Sequence, residues 1–139
     1  MVNKFYELLE HTADIRVRIT GSGLRELFKN AAFSLFEIMA EKEQEAGKRT
    51  AVKITQKADF REELFVNWLN ELLSLSAARG LIFSDFKINK LQDNKLEALA
   101  YGEPIENYRV NSEIKAATYH ELKILETSTG WQAEVIFDV

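Results

Sequence analysis

The strongest constraint on this fold is where the apolar residues change their period. Ile15, Val17 and Ile19 alternate with Arg16 and Arg18, the spacing of a half-buried strand. After Gly21-Ser22-Gly23 the spacing becomes helical: Leu24, Leu27, Phe28, Ala31, Ala32, Leu35, Phe36 and Met39 form one stripe. The switch then recurs. Val52 and Ile54 alternate within Thr50–Lys57, and Leu64, Phe65, Trp68, Leu69, Leu72 and Leu73 make a second stripe ending near Gly80. Beyond it the apolar runs read as four strands: Leu81–Lys90, Lys95–Tyr101, Ile114–Leu125 and Trp131–Val139. Helices placed early and strands late point to an α+β fold of order β-α-β-α followed by four strands. Its two amphipathic helices are expected to pack on a mixed, largely antiparallel sheet.

Punctuation refines this layout. Lys4–Glu10 is a further extended stretch, with a break expected at His11–Ala13. Ser22 is the expected N-cap of the first helix, and Asp59 with Glu62 the expected capping box of the second. The first helix should run out in the charged stretch Glu41–Glu45, with Gly47 in a turn. Asp93-Asn94 and Ser128-Thr129-Gly130 supply turn chemistry, and Pro104–Ser112 reads as the one long loop. Phe28, Phe36 and Trp68 lie on helical stripes and belong to the core.

Size and composition narrow the function classes. A chain of 139 residues fits one domain spanning 1–139, and 46% hydrophobic with 29% charged residues is globular. The absence of cysteine excludes a disulfide framework, a thiol nucleophile and a thiolate metal site. Residues 1–7 lack the apolar core of a signal peptide, and no run approaches the ~18 apolar residues of a membrane span. The expected location is therefore cytoplasmic, with no membrane partner. A net charge of −4, with Lys and Arg scattered among acids, argues against a phosphate-tracking surface. Contact with tRNA is expected only through a partner. Gly21-Ser22-Gly23 lacks the other glycines and the lysine of a phosphate loop, and no nucleophile elbow is present.

The residues with chemical potential stand near the two ends of the chain. Asp14 is in phase with Arg16 and Arg18, and Asp138 is opposite in phase to Trp131, Ala133, Val135 and Phe137. If these strands are antiparallel neighbours, the start of one lies beside the end of the other. Asp14, Asp138 and the terminal carboxylate of Val139 then converge. Such a group repels itself unless a cation intervenes, and oxygen-only donors suit Ca²⁺ or Mg²⁺ rather than zinc. If the strands do not pair, both aspartates are ordinary solvated strand-end residues. His11 and Thr12 could orient a carboxylate or simply end a strand. His120 is in phase with Thr118 and Leu122, where a lone histidine usually serves as a hydrogen-bonded structural residue.

Taken together, several blocks resemble the archease family. They are His11-Thr12-Ala13-Asp14, Asn67-Trp68-Leu69-Asn70-Glu71-Leu72-Leu73, Arg79-Gly80-Leu81-Ile82-Phe83, Lys115–His120 and Phe137-Asp138-Val139, in that order. The resemblance implies a small α+β cofactor protein of the GTP-dependent tRNA-splicing RNA ligase, not itself an enzyme. It further implies that the chain assists guanylylation of the ligase histidine and multiple turnover. A secondary role in altering the specificity of a tRNA cytosine methyltransferase is also implied. The family's divalent-metal site carries over to Asp14, Asp138 and Val139, with His11, Thr12, Lys115 and His120 as further candidates. Two other readings are an independent metal-assisted phosphohydrolase, for which the sequence shows no basic phosphate clamp, and a general chaperone or adaptor.

Overall fold

A computed structural model of the chain describes residues 5–9, 14–45, 48–118 and 123–139. The alternating segment becomes β2 (Ile15–Gly21), with Ile15, Val17 and Ile19 buried and Arg16 exposed. β1 (Tyr6–Leu8) pairs with it antiparallel, Tyr6 opposite Ile19. The first apolar stripe becomes α1 (Leu24–Met39), burying Leu27, Phe28, Ala31, Ala32, Leu35, Phe36 and Met39. The second becomes α2 (Arg61–Arg79), preceded by β4 (Thr50–Lys57) and closed by Gly80 in the left-handed region at φ 65°.

After α2 come β5 (Leu81–Gln92) and β6 (Lys95–Pro104), joined through Asp93 and Asn94 at φ 53° and 57°. Those paired positive φ values are what a two-residue hairpin turn requires. The order β4-β6-β5 makes a three-stranded sheet. A five-stranded sheet has the order β1-β2-β10-β8. In it β8 (Ala116–Thr118) and β9 (Ile124–Thr127) pair with opposite ends of β10 (Gly130–Asp138). All pairings among the described residues are antiparallel.

Three expectations shift. The predicted strand Ile114–Leu125 is divided into β8 and β9, with 119–122 outside the described residues. The predicted loop Pro104–Ser112 contains a 3₁₀ turn (Ile105–Asn107) and β7 (Tyr108–Val110), which pairs with β3 (Ala40–Lys42). β3 occupies the start of the stretch expected to be charged helix end, and Arg109 pairs there with Glu41 across the strands. Strands of three residues contain too few repeats to show a period. Both helix starts also slip by one residue. Gly23, not Ser22, caps α1, and the Ser22 hydroxyl donates instead to Glu26 at 2.6 Å. Phe60, not Asp59, caps α2, and Glu63 rather than Glu62 reaches back to the Asp59 N–H at 3.4 Å.

The helices bridge the two sheets, α1 lying against β2 and β5, and α2 against β4, β5 and β8. The buried apolar side chains form one cluster. Phe28 meets Phe65 edge-on at 5.0 Å, and Phe36 meets Phe83 at 5.6 Å. Trp68 is fully buried, and its indole N–H donates to the Phe28 carbonyl at 2.9 Å. That bond satisfies the one polar atom the ring carries into the core. Where β2 passes into α1 there is no room for a side chain. A Cβ on Gly21 would stand 2.5 Å from the Leu27 nitrogen, and one on Gly130 (φ 149°) would stand 2.3 Å from the Gly21 carbonyl oxygen.

Candidate functional site

The condition on which the carboxylate site depended is met: β2 and β10 are antiparallel neighbours. Their register runs from Trp131 opposite Gly21 to Phe137 opposite Ile15. Asp14 immediately precedes Ile15 and Asp138 immediately follows Phe137, so the two aspartates lie at the same end of the paired strands. Strand alternation turns both away from the core, because Ile15 and Phe137 are buried while Asp14 and Asp138 are exposed. On the other side of β10, Ala116 is the register partner of Asp138. Its small side chain leaves that row uncrowded.

Lys115 arrives at the same strand end, its backbone N–H donating to the Asp138 carbonyl at 2.8 Å. Val139 follows, 43% exposed. The structure thus gathers Asp14, Lys115, Asp138 and Val139 at one end of the five-stranded sheet. His11, Thr12 and His120 lie outside the described residues. Among those described, no group of three or more His, Asp or Glu side chains is placed to hold a metal ion. The donor set at this end is nevertheless all oxygen and solvent-facing, the chemistry that fits a hard divalent cation and not zinc.

Further along the same outward face the charges are compensated. Arg18 pairs with Glu134 at 3.3 Å and with Glu7 at 3.6 Å. The end row of two aspartates has no such arginine in register, since Arg16 stands opposite Ile136.

Two positioning residues emerge only from the structure. Asn70 of α2 donates through Nδ2 to the Ala117 carbonyl at 3.1 Å, and its Oδ1 accepts the Ala117 N–H at 2.7 Å. Glu62 accepts the Ile124 N–H at 3.2 Å. Through these bonds α2 holds β8 and β9, and β8 in turn holds Asp138. A signal for Asn70 was present: asparagine inside a helix forgoes propensity, which is worthwhile where its side chain has another backbone to bond.

Comparison with known proteins agrees with this architecture. The model of the Archease protein family (MTH1598/TM1083) matches residues 6–139. The chain is 35% identical to protein archease of Methanosarcina acetivorans, covering 98% of this chain and 97% of that one. It is 37% identical to protein archease of Pyrococcus abyssi, covering 98% and 99%. Among solved structures, protein 1598 of Methanobacterium thermoautotrophicum is similar with a TM-score of 0.75 at 32% identity, over 99% of this chain and 100% of that one. A Thermotoga maritima protein, described as an archease and possible chaperone, is similar with a TM-score of 0.63 at 25% identity, over 96% of each. Fold, sequence identity and near-complete coverage converge, and the chain belongs to the archease protein family.

Proposed function

We propose that this chain is a non-catalytic, cytoplasmic accessory protein of a GTP-dependent tRNA-splicing RNA ligase. In this reading it promotes guanylylation of the ligase histidine and repeated turnover, and meets tRNA only through the ligase. Family membership supports the partner. The observation that supports the mechanism is the antiparallel β2–β10 pairing, whose last register pair is Phe137 and Ile15, the neighbours of Asp138 and Asp14. With the Val139 carboxylate, these residues would hold Ca²⁺ or Mg²⁺. A cation held there would neutralise charge near the transferred nucleotide. The chain's own part is positional. β2 and β10 fix the two carboxylates, while Asn70 and Ala117 steady the strand beside Asp138. Modulation of a tRNA cytosine methyltransferase is a secondary role in the same reading.

The test measures ligase–guanylate formation with excess RNA, beside thermal melts of each variant with and without Ca²⁺ or Mg²⁺. A cation at a hundredfold excess over its Kd adds about 2.7 kcal/mol of stability. Asp14→Ala and Asp138→Ala should stay folded, lose that increment and lose stimulation of the ligase. Folded aspartate variants that stimulate as wild type does would refute the metal-centred mechanism. A wild-type chain without effect on its ligase would remove the partnership as well.

A further inference from the structure

Scattered in the sequence, the basic residues are regrouped by the fold. Arg25 and Lys29 of α1, Arg49 just before β4 and Lys87 of β5 line one cleft of about 880 Å³, within the usual size of small-ligand sites. Two carboxylates share it, and both are already engaged. Asp85 pairs with Arg49 at 3.2 Å, and Glu26 accepts the Ser22 hydroxyl at 2.6 Å. That bond is the main reason the Glu26 carboxyl sits below its ordinary range, ionised and held at the rim.

The other three cations are differently placed. Arg25 reaches a backbone carbonyl, that of Ile88, at 3.4 Å, and Lys29 lies 5.8 Å above the Phe33 ring. Among the described residues, Arg25, Lys29 and Lys87 form no ion pair within 4 Å, although the Lys29 charge also helps to keep Glu26 ionised. The Arg49 guanidinium stacks 4.8 Å from the centroid of Tyr101, which fixes a flat cationic surface in the wall. On a chain of net charge −4, four cations against two engaged carboxylates are a local reversal of sign. The supports are rigid, since α1 and β5 both bury their opposite faces in the core.

We infer that this cleft binds a phosphate-bearing ligand. Several converging donors with surplus positive charge on preformed elements recognise a di- or trianion, and arginine suits phosphate oxygens in particular. The site is separate from the aspartate pair. Arg25 and Lys29 follow the far end of β2, a strand of seven residues that spans roughly 23 Å at ~3.3 Å per residue. A free phosphorylated small molecule has the required chemistry, and so has the phosphorylated end of a nucleic-acid strand, whose direct binding would replace the ligase-mediated contact with tRNA proposed above.

Inorganic pyrophosphate titrated into the full chain, followed by calorimetry and by amide NMR shifts, tests the inference. Binding at about millimolar Kd or tighter is expected, weakening with salt and shifting the amides around Arg25, Lys29 and Lys87. Lys29→Gln with Lys87→Gln should weaken it by about tenfold or more. Lys53→Gln, on the exposed face of β4, should leave it unchanged. A second arm compares one oligonucleotide bearing a 5′-phosphate or a 5′-hydroxyl. Tighter binding of the phosphorylated strand than of pyrophosphate assigns a strand end, whereas binding of pyrophosphate alone assigns a small molecule. Pyrophosphate shifts dispersed over the surface, or a double variant that binds as wild type does, would overturn the proposal.

Discussion

The β4-β6-β5 sheet is made of strands of eight, ten and twelve residues, with β6 and β5 joined by a two-residue turn. The sheet that carries the aspartates is assembled differently. Its strands run from three to nine residues, and its central pair brings together residues as far apart in sequence as Ile15 and Phe137. Each sheet contains local pairs, β5–β6 in the first and β1–β2 and β9–β10 in the second, but the β2–β10 pair beside the aspartates joins the two ends of the chain, a longer reach than β4 makes to β6. Loop closure makes such distant pairing slower to form. The difference teaches that the candidate metal site belongs to the part of the molecule most dependent on everything else. The basic cleft depends instead on the packing of α1 against β5, and not on the meeting of the two chain ends.

Trp68→Ala gives the harshest test of this contrast. Trp68 is fully buried on the helix that touches both sheets, so truncation should remove about 3–5 kcal/mol and melt both sheets together. Hydrogen exchange during a urea titration reads the result. Retained protection in β4–β6 after β2 and β10 have opened would show two separately stable units in place of one.

A smaller and more local effect is expected from Asn70→Ala. It strands the N–H and carbonyl of Ala117, a loss of about 1–3 kcal/mol. Exchange should quicken at residues 116–118, and the cation-dependent rise in melting temperature should shrink, with the three-stranded sheet unaffected. Equal loss of protection in both sheets would erase the distinction drawn here.

The smallest effect belongs to the cleft end of the molecule. Ser22→Ala removes the hydroxyl that holds the exposed Glu26 carboxylate, and solvent screening limits the loss to a few tenths of a kcal/mol. Because the folded carboxyl is shifted downward, its contribution is present above the unfolded glutamate value of about 4.3 and vanishes as pH falls through the lower folded one. Melts of wild type and variant should therefore differ at pH 7 and converge as the pH falls below the ordinary glutamate range. A constant difference would assign the effect to the helix start itself.

These contrasts follow how much of the molecule could be read from residues alone. The two helical stripes, β4, β5 and β6 repeat their period often enough to be recognised, and Gly80 and Asp93-Asn94 mark their ends through backbone geometry. β3, β7, β8 and β9 have three or four residues each, and their existence depends on partners rather than on pattern. The phase of Asp14 and Asp138 was legible, because alternation alone turns both away from the core. Their adjacency was not, since no local signal states which strand neighbours which. The basic cleft was invisible for the same reason: Lys29 and Lys87 acquire a common purpose only after α1 lies against β5.

The bond pair between Asn70 and Ala117 has a consequence beyond holding β8 in place. β8 is at the margin of its sheet, where an unpaired N–H and carbonyl invite a strand from another molecule. The amide of Asn70 offers one donor and one acceptor, the pattern of a peptide group, and so occupies the place an incoming chain would take. A helix side chain thereby caps this part of a sheet edge in place of a neighbouring strand.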